Sequence, residues 1–400
     1  MPEIRRSTPG ISRRSALKWA GLGLGSVIVA GGVGAGIRGA TNGVFNVGVG
    51  DPYDLWRAWP DLTGIDRVVG AGALSCNPHN TQPWRFEVNP RRISLYSDSS
   101  RRMPHFDPYL REHFAGLGAA IESMVIAARG IGMSVDVTTF PRGSASELVA
   151  ILDLSTESGV TPADTGLAEA IARRHTNRGP FTADPLGDDD MSILRSTAAA
   201  VPGTSVAWVT ESTAVSGFGA LLIDATERII ADHDQSRESF EWFRPERADI
   251  ERERDGVTLD CQGLEPATLL AGKLLPPPSR SDGDGFWLAA TRDVHTATAA
   301  AYGVVRVGDP LDHRSQLDGG RALTRLHLAA TERGLAFHHM NQITERIDRD
   351  RSTSSEDVFT ARWSEMAGIQ SSDALVSFRI GTAQRAAGLS PRRAMTDVVT

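Results

Sequence analysis

The sequence predicts an α+β fold assembled from two related halves, and three observations lead there. An alanine-rich helix bounded by glycines at 118–132 recurs without gaps at 320–334, 202 residues downstream. Gly118/Gly320, Ala120/Ala322, Ala127/Ala329, Ala128/Ala330 and Gly132/Gly334 are identical, while Ile121/Leu323 and Met124/Leu326 are similar. A strand-like run follows each copy, at 147–154 and 374–381. Residues 85–98 alternate apolar and polar positions around Asn89-Pro90-Arg91-Arg92, the pattern of a hairpin. Alanine-rich helices resemble one another easily, so the strands that follow carry part of the weight. Two α+β halves is the economical account.

The elements follow in chain order. Residues 1–45 form a basic leader and a Gly/Asn-rich linker that runs to about Gly50, and a helical entry through Trp56 and Trp59 comes next. The hairpin then opens a first half spanning 50–165. In the helix at 118–132, Ile121, Met124, Val125 and Ala128 keep the 3, 4 spacing of one buried face, and Gly132 stops it. A short helical stretch at 167–172 leads into the second half, 166–400. Within it, residues 240–290 read as irregular, with an acid- and arginine-rich run, then Pro276-Pro277-Pro278, then Ser281-Asp282-Gly283-Asp284-Gly285. A stretch of that length suggests a functional lid or a disordered insertion.

Charge excludes some partners. The chain carries a net −7, but residues 1–40 hold six basic groups and one acid, which leaves 36 basic and 48 acidic side chains beyond them. So acidic a body argues against a nucleic-acid partner or an anionic membrane surface, both of which need clustered Lys and Arg.

The leader matches a twin-arginine export signal. Ser12-Arg13-Arg14-Ser15-Ala16-Leu17-Lys18 fits the S-R-R-x-F-L-K pattern except at Ala16, and an uncharged run from Trp19 to Ile37 follows. The plainer readings are a basic tail or a first core helix, but seven glycines in that run make a poor soluble helix. Nineteen helical residues reach about 28 Å against a hydrocarbon core of roughly 30 Å, so either cleavage or an uncleaved tether is open. The expectation is export to the cell envelope or periplasmic side, with the twin-arginine machinery as a partner. Two cysteines, Cys76 and Cys261, make no disulfide framework; one bridge or two buried thiols are both open.

Three motifs carry chemistry. The segment Asn77-Pro78-His79-Asn80-Thr81-Gln82-Pro83-Trp84 packs two prolines, three carboxamides, an imidazole and an indole into eight residues. The prolines restrict φ at themselves and disfavour the helical region before them, so a rigid extended or turn segment is expected, suited to a heteroaromatic ligand with donors and acceptors. The block Arg173-Arg174-His175-Thr176-Asn177-Arg178-Gly179-Pro180-Phe181 can converge on a phosphate, though alone it reads as readily as a solvated turn. Ser390-Pro391-Arg392-Arg393 adds a basic tail. His338-His339 offers no metal-ligand spacing, and no metal is expected. Glu122 and Glu169 read as solvated helix positions.

Together these motifs resemble the nitroreductase-like flavoproteins, specifically the Acg-type branch of FMN-binding oxidoreductases, over about residues 55–400. The resemblance rests on the 79–86 segment, the 173–181 block, the second glycine-bounded helix and Ser390-Pro391-Arg392-Arg393. It implies a nitroreductase-like fold in which two fused halves form a pseudo-dimer around one FMN, as monomer or homodimer. By position it implies Arg174, His175, Thr176 and Arg178 at the phosphate and ribityl chain, with Arg392 or Arg393 completing the anion site. Asn80 and Gln82 would hydrogen-bond the ring edges, and His79 and Trp84 would shape the wall.

The first half has no Arg block before its Q-P-W loop, and the second half has no Q-P-W, so one FMN per chain is expected. Cys76 departs from the small Ser or Pro usual there and reads as a buried small hydrophobe or a thiol near the flavin. Hydride would pass through the flavin, with NAD(P)H as a candidate donor and a small molecule as acceptor. No side chain is then required as acid or base. The rivals are a flavin-sequestering protein with little turnover and a cofactor-free envelope protein.

Overall fold

The computed structural model describes residues 38–39, 41–156 and 162–400. The twin-arginine segment expected at 12–37 lies outside the described residues. Among those described, no helix is long and apolar enough to cross a membrane.

Two four-stranded antiparallel sheets carry the two halves. In the first, β1 (Trp84–Asn89), β2 (Arg92–Ser97), β3 (Ser134–Thr139) and β4 (Leu148–Ser155) lie in the order β1-β2-β4-β3. In the second, β5 (Ser205–Val209), β6 (Ala301–Arg306), β7 (Ala336–His339) and β8 (Ala374–Gly381) lie in the order β5-β6-β8-β7. Matched strand for strand, the two orders are the same. The expected hairpin is β1–β2, turned at Pro90-Arg91 between the paired Asn89 and Arg92.

The repeated helix appears as α1 (Arg111–Gly130) and α2 (His313–Glu332), whose starts and ends both differ by 202. They stop alike. Gly132 and Gly334 take positive φ (79° and 74°), and the next residue bonds back, Met133 N to Ala128 O and Leu335 N to Ala330 O. The helices cross in direct contact. A Cβ on Gly118 would lie 2.0 Å from Leu317 O, and one on Gly320 would lie 2.0 Å from Ala115 O. Leu317 is Ala115 plus 202, so the contact is reciprocal, as across a two-fold axis.

Glu122 differs from its expected solvated position. It is fully buried at this crossing, where Arg321 and Arg325 donate to it at 2.8 and 2.5 Å; Glu169 is exposed. Alternation along α1 could not reveal this, because both faces of that helix are covered.

Apolar side chains pack in three main layers. One lies under the first sheet (Trp84, Phe86, Ile93, Leu152) and one against the second (Phe218, Tyr302, Ile343, Trp363), with a central layer between the halves (Ile126, Leu326, Phe337, Phe378). The C-terminal tail returns to the first half, where Arg392 N donates to Pro52 O and Thr400 N to Phe86 O.

Residues 240–290 are more ordered than their composition suggests. Short helices run Arg247–Glu253, Pro266–Leu274 and Arg280–Ala290. Pro266 opens one at its first turn, and Ser279 with Asp282 forms a capping box for another. Seven to eleven residues with internal glycines are too short to register as periodicity. Cys76 and Cys261 are both free and buried.

Candidate functional site

The loop before β1 holds an unusual backbone. His79, Asn80 and Gln82 have positive φ (46°, 55° and 52°), each costing on the order of 1–3 kcal/mol for a residue other than glycine. Side-chain bonds hold it. Asn77 Oδ1 accepts from Gln82 N at 2.7 Å; Asn80 Nδ2 donates to Gly256 O and Pro391 O; and Gln82 Nε2 donates to Arg254 O while its Oε1 accepts from Arg393 N. The carboxamides therefore fasten the 240–290 segment and the C-terminal tail to the first half.

The Arg block sits opposite, between a short 3-10 turn (Ile171–Arg173) and a bridge from Thr176 to Phe337 of β7. Arg174 and Arg392 both donate to Leu74 O and both lie over the Trp56 ring, at 5.6 and 4.7 Å from its centroid. His175 meets the same ring edge-on at 4.5 Å.

Between the two halves and the 240–290 segment lies a cavity of about 680 Å³. Its polar wall includes His79, Thr176, Arg178, His295, His338 and His339, and its apolar wall includes Phe106, Phe240, Phe243, Leu264, Phe286 and Trp287. Glu112, Asn341, Gln342 and Glu345 close one end. His79 bonds Ser239 Oγ at 3.0 Å, just ahead of the 240–290 segment that caps the cavity, and meets Phe106 edge-on.

Charge is the distinctive property here. Arg174, Arg379 and Arg392 are buried and Arg178 half-buried, and none has a carboxylate partner among the described residues. They donate to backbone carbonyls, Asn80 Oδ1 and hydroxyls instead, Arg178 to Cys261 O at 3.2 Å. By contrast, buried Arg111 pairs with Asp348 and buried Arg346 with Asp350. Burial lowers the pKa of Arg174 and brings those of Arg379 and Arg392 down to about 9. Withdrawal from water and the Arg178 charge hold His79 down to about 4, and burial with nearby arginines keeps His175 and His339 near 3. The cations are thus set among neutral imidazoles, with no carboxylate paired to them among the described residues.

Of the expected site residues, the structure brings His79, Thr176 and Arg178 to the cavity wall. Asn80, Gln82, Arg174, His175, Arg392 and Arg393 lie behind it, in the bonds just described, and Trp84 is fully buried in the core under the first sheet. The loop's left-handed turns aim these side chains at the cap and tail, and linear spacing does not report a turn of that kind. Missed from the sequence were His295, Gln342, Glu112 and Glu345, which come from three elements far apart in the chain with no motif linking them. Cys76, His327 and His339 bring ligand atoms within 4.8 Å of one another, but Arg174 faces His327 Nδ1 at 3.5 Å and its charge opposes a metal dication.

No family model matches the chain. A Mycobacterium tuberculosis protein named "Putative NAD(P)H nitroreductase" is 27% identical over 317 residues, 78% of this chain and 85% of its own length. A second from that species, Acg, carries the same description and is 32% identical over 145 residues, 35% of this chain and 44% of its length. Among solved structures, a nitroreductase with bound FMN from Desulfitobacterium hafniense is 15% identical with a TM-score of 0.36, covering 59% of this chain and 97% of that one. The FMN-dependent nitroreductase NfnB of Mycobacterium smegmatis, in complex with NADPH, is 15% identical with the same TM-score, covering 58% and 98%. Those structural likenesses are too distant to carry a conclusion. The sequence likeness reaches further: the chain is similar to the first of these mycobacterial proteins over most of its own length and most of that protein's, and to Acg over a shorter stretch.

Proposed function

We propose that this chain is an FMN-dependent oxidoreductase of nitroreductase type, with one flavin held between two related halves. The observation that carries it is the group of arginines at and behind one cavity wall with no carboxylate to balance them. Buried cations without partners are costly, so they favour an anionic ligand such as a phosphate. The same cavity has a large apolar and aromatic lining beside those cations, and the two together fit an amphipathic anion with a flat ring.

Arg178 and Thr176 would hold the phosphate directly, with Arg174 and Arg392 adding positive potential from behind. His79, kept neutral, would face the ligand as an uncharged donor or acceptor. When bound, FMN supplies hydride chemistry between a reductant such as NAD(P)H and a small-molecule acceptor. The protein's part is to position the ring, exclude water beneath the aromatic cap and supply the field.

A second reading is a protein that holds flavin with little turnover. It is favoured by the cap's fastening: Arg101 and Arg244 both pair with Asp255, and Asn80 and Gln82 anchor Gly256 and Arg254. The leader residues support a further proposal, that the folded protein is exported through the twin-arginine pathway to the cell envelope.

Titration of the purified protein with FMN and with riboflavin tests the main reading. Arg178→Gln should weaken FMN by about tenfold or more, roughly 1.4 kcal/mol, and leave riboflavin almost unchanged. No flavin uptake by the wild-type protein rejects the flavoprotein reading. NAD(P)H oxidation with quinone or nitroaromatic acceptors then separates turnover from storage.

A further inference from the structure

On the lining of the cavity, the two halves each contribute a buried glutamate. Glu112 stands in the first turn of α1, and Glu345 in the first turn of the helix Gln342–Thr353. Both are buried (7% and 8% exposed) and both line the cavity. Arg111, next to Glu112, pairs at 2.7 Å with Asp348, one turn beyond Glu345, and so ties the two helix starts together. Burial and the charge of each acid on the other favour one proton held between them. A second observation points to a ligand. The Oε1 of Gln342, in a side chain 6% exposed on the same floor, has no hydrogen-bond partner.

We propose that Glu112 and Glu345 form a proton-sharing dyad, one carboxyl from each half, that gives a proton to the acceptor bound in the cavity as that acceptor takes up hydride. This rests on the flavoprotein reading above. The acceptor is of the carbonyl, quinone or nitro class. It gains two electrons and one hydrogen nucleus as hydride from the bound reduced cofactor. Its oxygen gains the dyad's proton through cleavage of the Glu345 O–H bond. The dyad is left with both carboxylates ionised and recovers its proton from water. Gln342 Oε1 is placed to accept from a donor on the same ligand.

The surroundings keep the proton in place. Asp107 precedes α1 and accepts from His113 N, and Asp348 follows Glu345 by one turn. Buried Arg111 is paired with Asp348 at 2.7 Å, and the more exposed Arg351 stands 3.9 Å from the same carboxylate; buried Arg346, beside Glu345, is paired with Asp350 instead. Four acids therefore share little positive charge. Burial and these neighbours raise Glu345 well above the ordinary carboxylate range, raise Glu112, and push Asp107 up to about 8.

The test joins a spectrum to kinetics on the full-length protein. Infrared spectra of the flavin-free protein should show the carbonyl stretch of a protonated carboxylic acid near neutral pH, lost on raising the pH and reduced in Glu345→Gln. Glu345→Gln keeps the shape and a donor, so it should bind FMN normally. It should nevertheless lower turnover with a quinone acceptor by about a hundredfold and abolish the alkaline fall of the pH–rate profile. Glu112→Gln, which removes the neighbouring charge that raises Glu345, should move that fall to lower pH. If wild type lacks the protonated-acid band, or Glu345→Gln with FMN bound keeps the wild-type rate and pH profile, the dyad proposal is overturned alone. Failure of wild type to bind FMN overturns the flavoprotein reading and this one with it.

Discussion

Arg392 donates to Asn80 Oδ1 at 2.6 Å, a bond between residues 312 apart that joins the C-terminal tail to the loop before β1. The same carboxamide donates to Gly256 O at 3.1 Å and Pro391 O at 3.0 Å, so one side chain ties loop, cap and tail. Asn80→Ala should cost about 1–3 kcal/mol, because it leaves buried groups unpaired. Asn80→Asp gives Arg392 a carboxylate but takes the donor away from Gly256 O and Pro391 O, so it should not restore the lost stability, and it should weaken FMN by reducing the positive field. Thermal midpoints and FMN titrations of both variants check this. Wild-type FMN affinity in Asn80→Asp would show that the Arg392 charge does not serve the ligand.

Gly118 and Gly320 should be equally intolerant of a side chain. Each added Cβ would meet a carbonyl oxygen of the opposite helix at 2.0 Å, a backbone atom that cannot swing away. Gly118→Ala and Gly320→Ala should each destabilise by about 3 kcal/mol or more. Urea denaturation measures it, and a loss below 1 kcal/mol at either position would mean that the helices do not cross this closely.

Stability should peak near neutral pH and fall on acidification. His79 is held at about 4 and His113, His175 and His339 at about 3, each lowered chiefly by burial. In the unfolded chain they titrate near 6.5. Their contribution is therefore complete above about 6.5 and is lost as pH falls toward 4 to 3. Asp107, raised to about 8, works in the opposite sense: its contribution is full below about 4 and is lost as pH climbs toward 8. With His295, His327 and His338 also held well down by burial, the buried histidines outweigh Asp107, Glu112 and Glu345, which burial raises, between pH 4 and 6.5. Thermal midpoints taken from pH 4.5 to 8.5 should thus rise to near 6.5 and then decline gently, and a midpoint still rising toward pH 4.5 would contradict this.

Export can be tested on the leader alone. Residues 1–45 fused to a reporter that requires twin-arginine transport should carry it out of the cytoplasm. Arg13→Lys combined with Arg14→Lys should stop it, and unaltered export in that double variant would reject the twin-arginine reading.

What the sequence determined by itself was local or periodic. The glycine-bounded helices, the hairpin at Asn89–Arg92 and the strand β8 follow from 3.6- and 2-residue patterns and from glycine stops, which act within a few residues. The halves were legible because the same pattern recurs at one offset. Tertiary structure decided which side chains face the cavity. Asn80 and Gln82, the most conspicuous polar residues of the loop, turn away from it because left-handed backbone aims them at the cap and tail. Glu112 and Glu345 face it because a helix start in each half meets across the pseudo-two-fold. Facing across 233 residues depends on how helices cross, and that crossing is set by the close approach at Gly118 and Gly320, which no stretch of sequence contains.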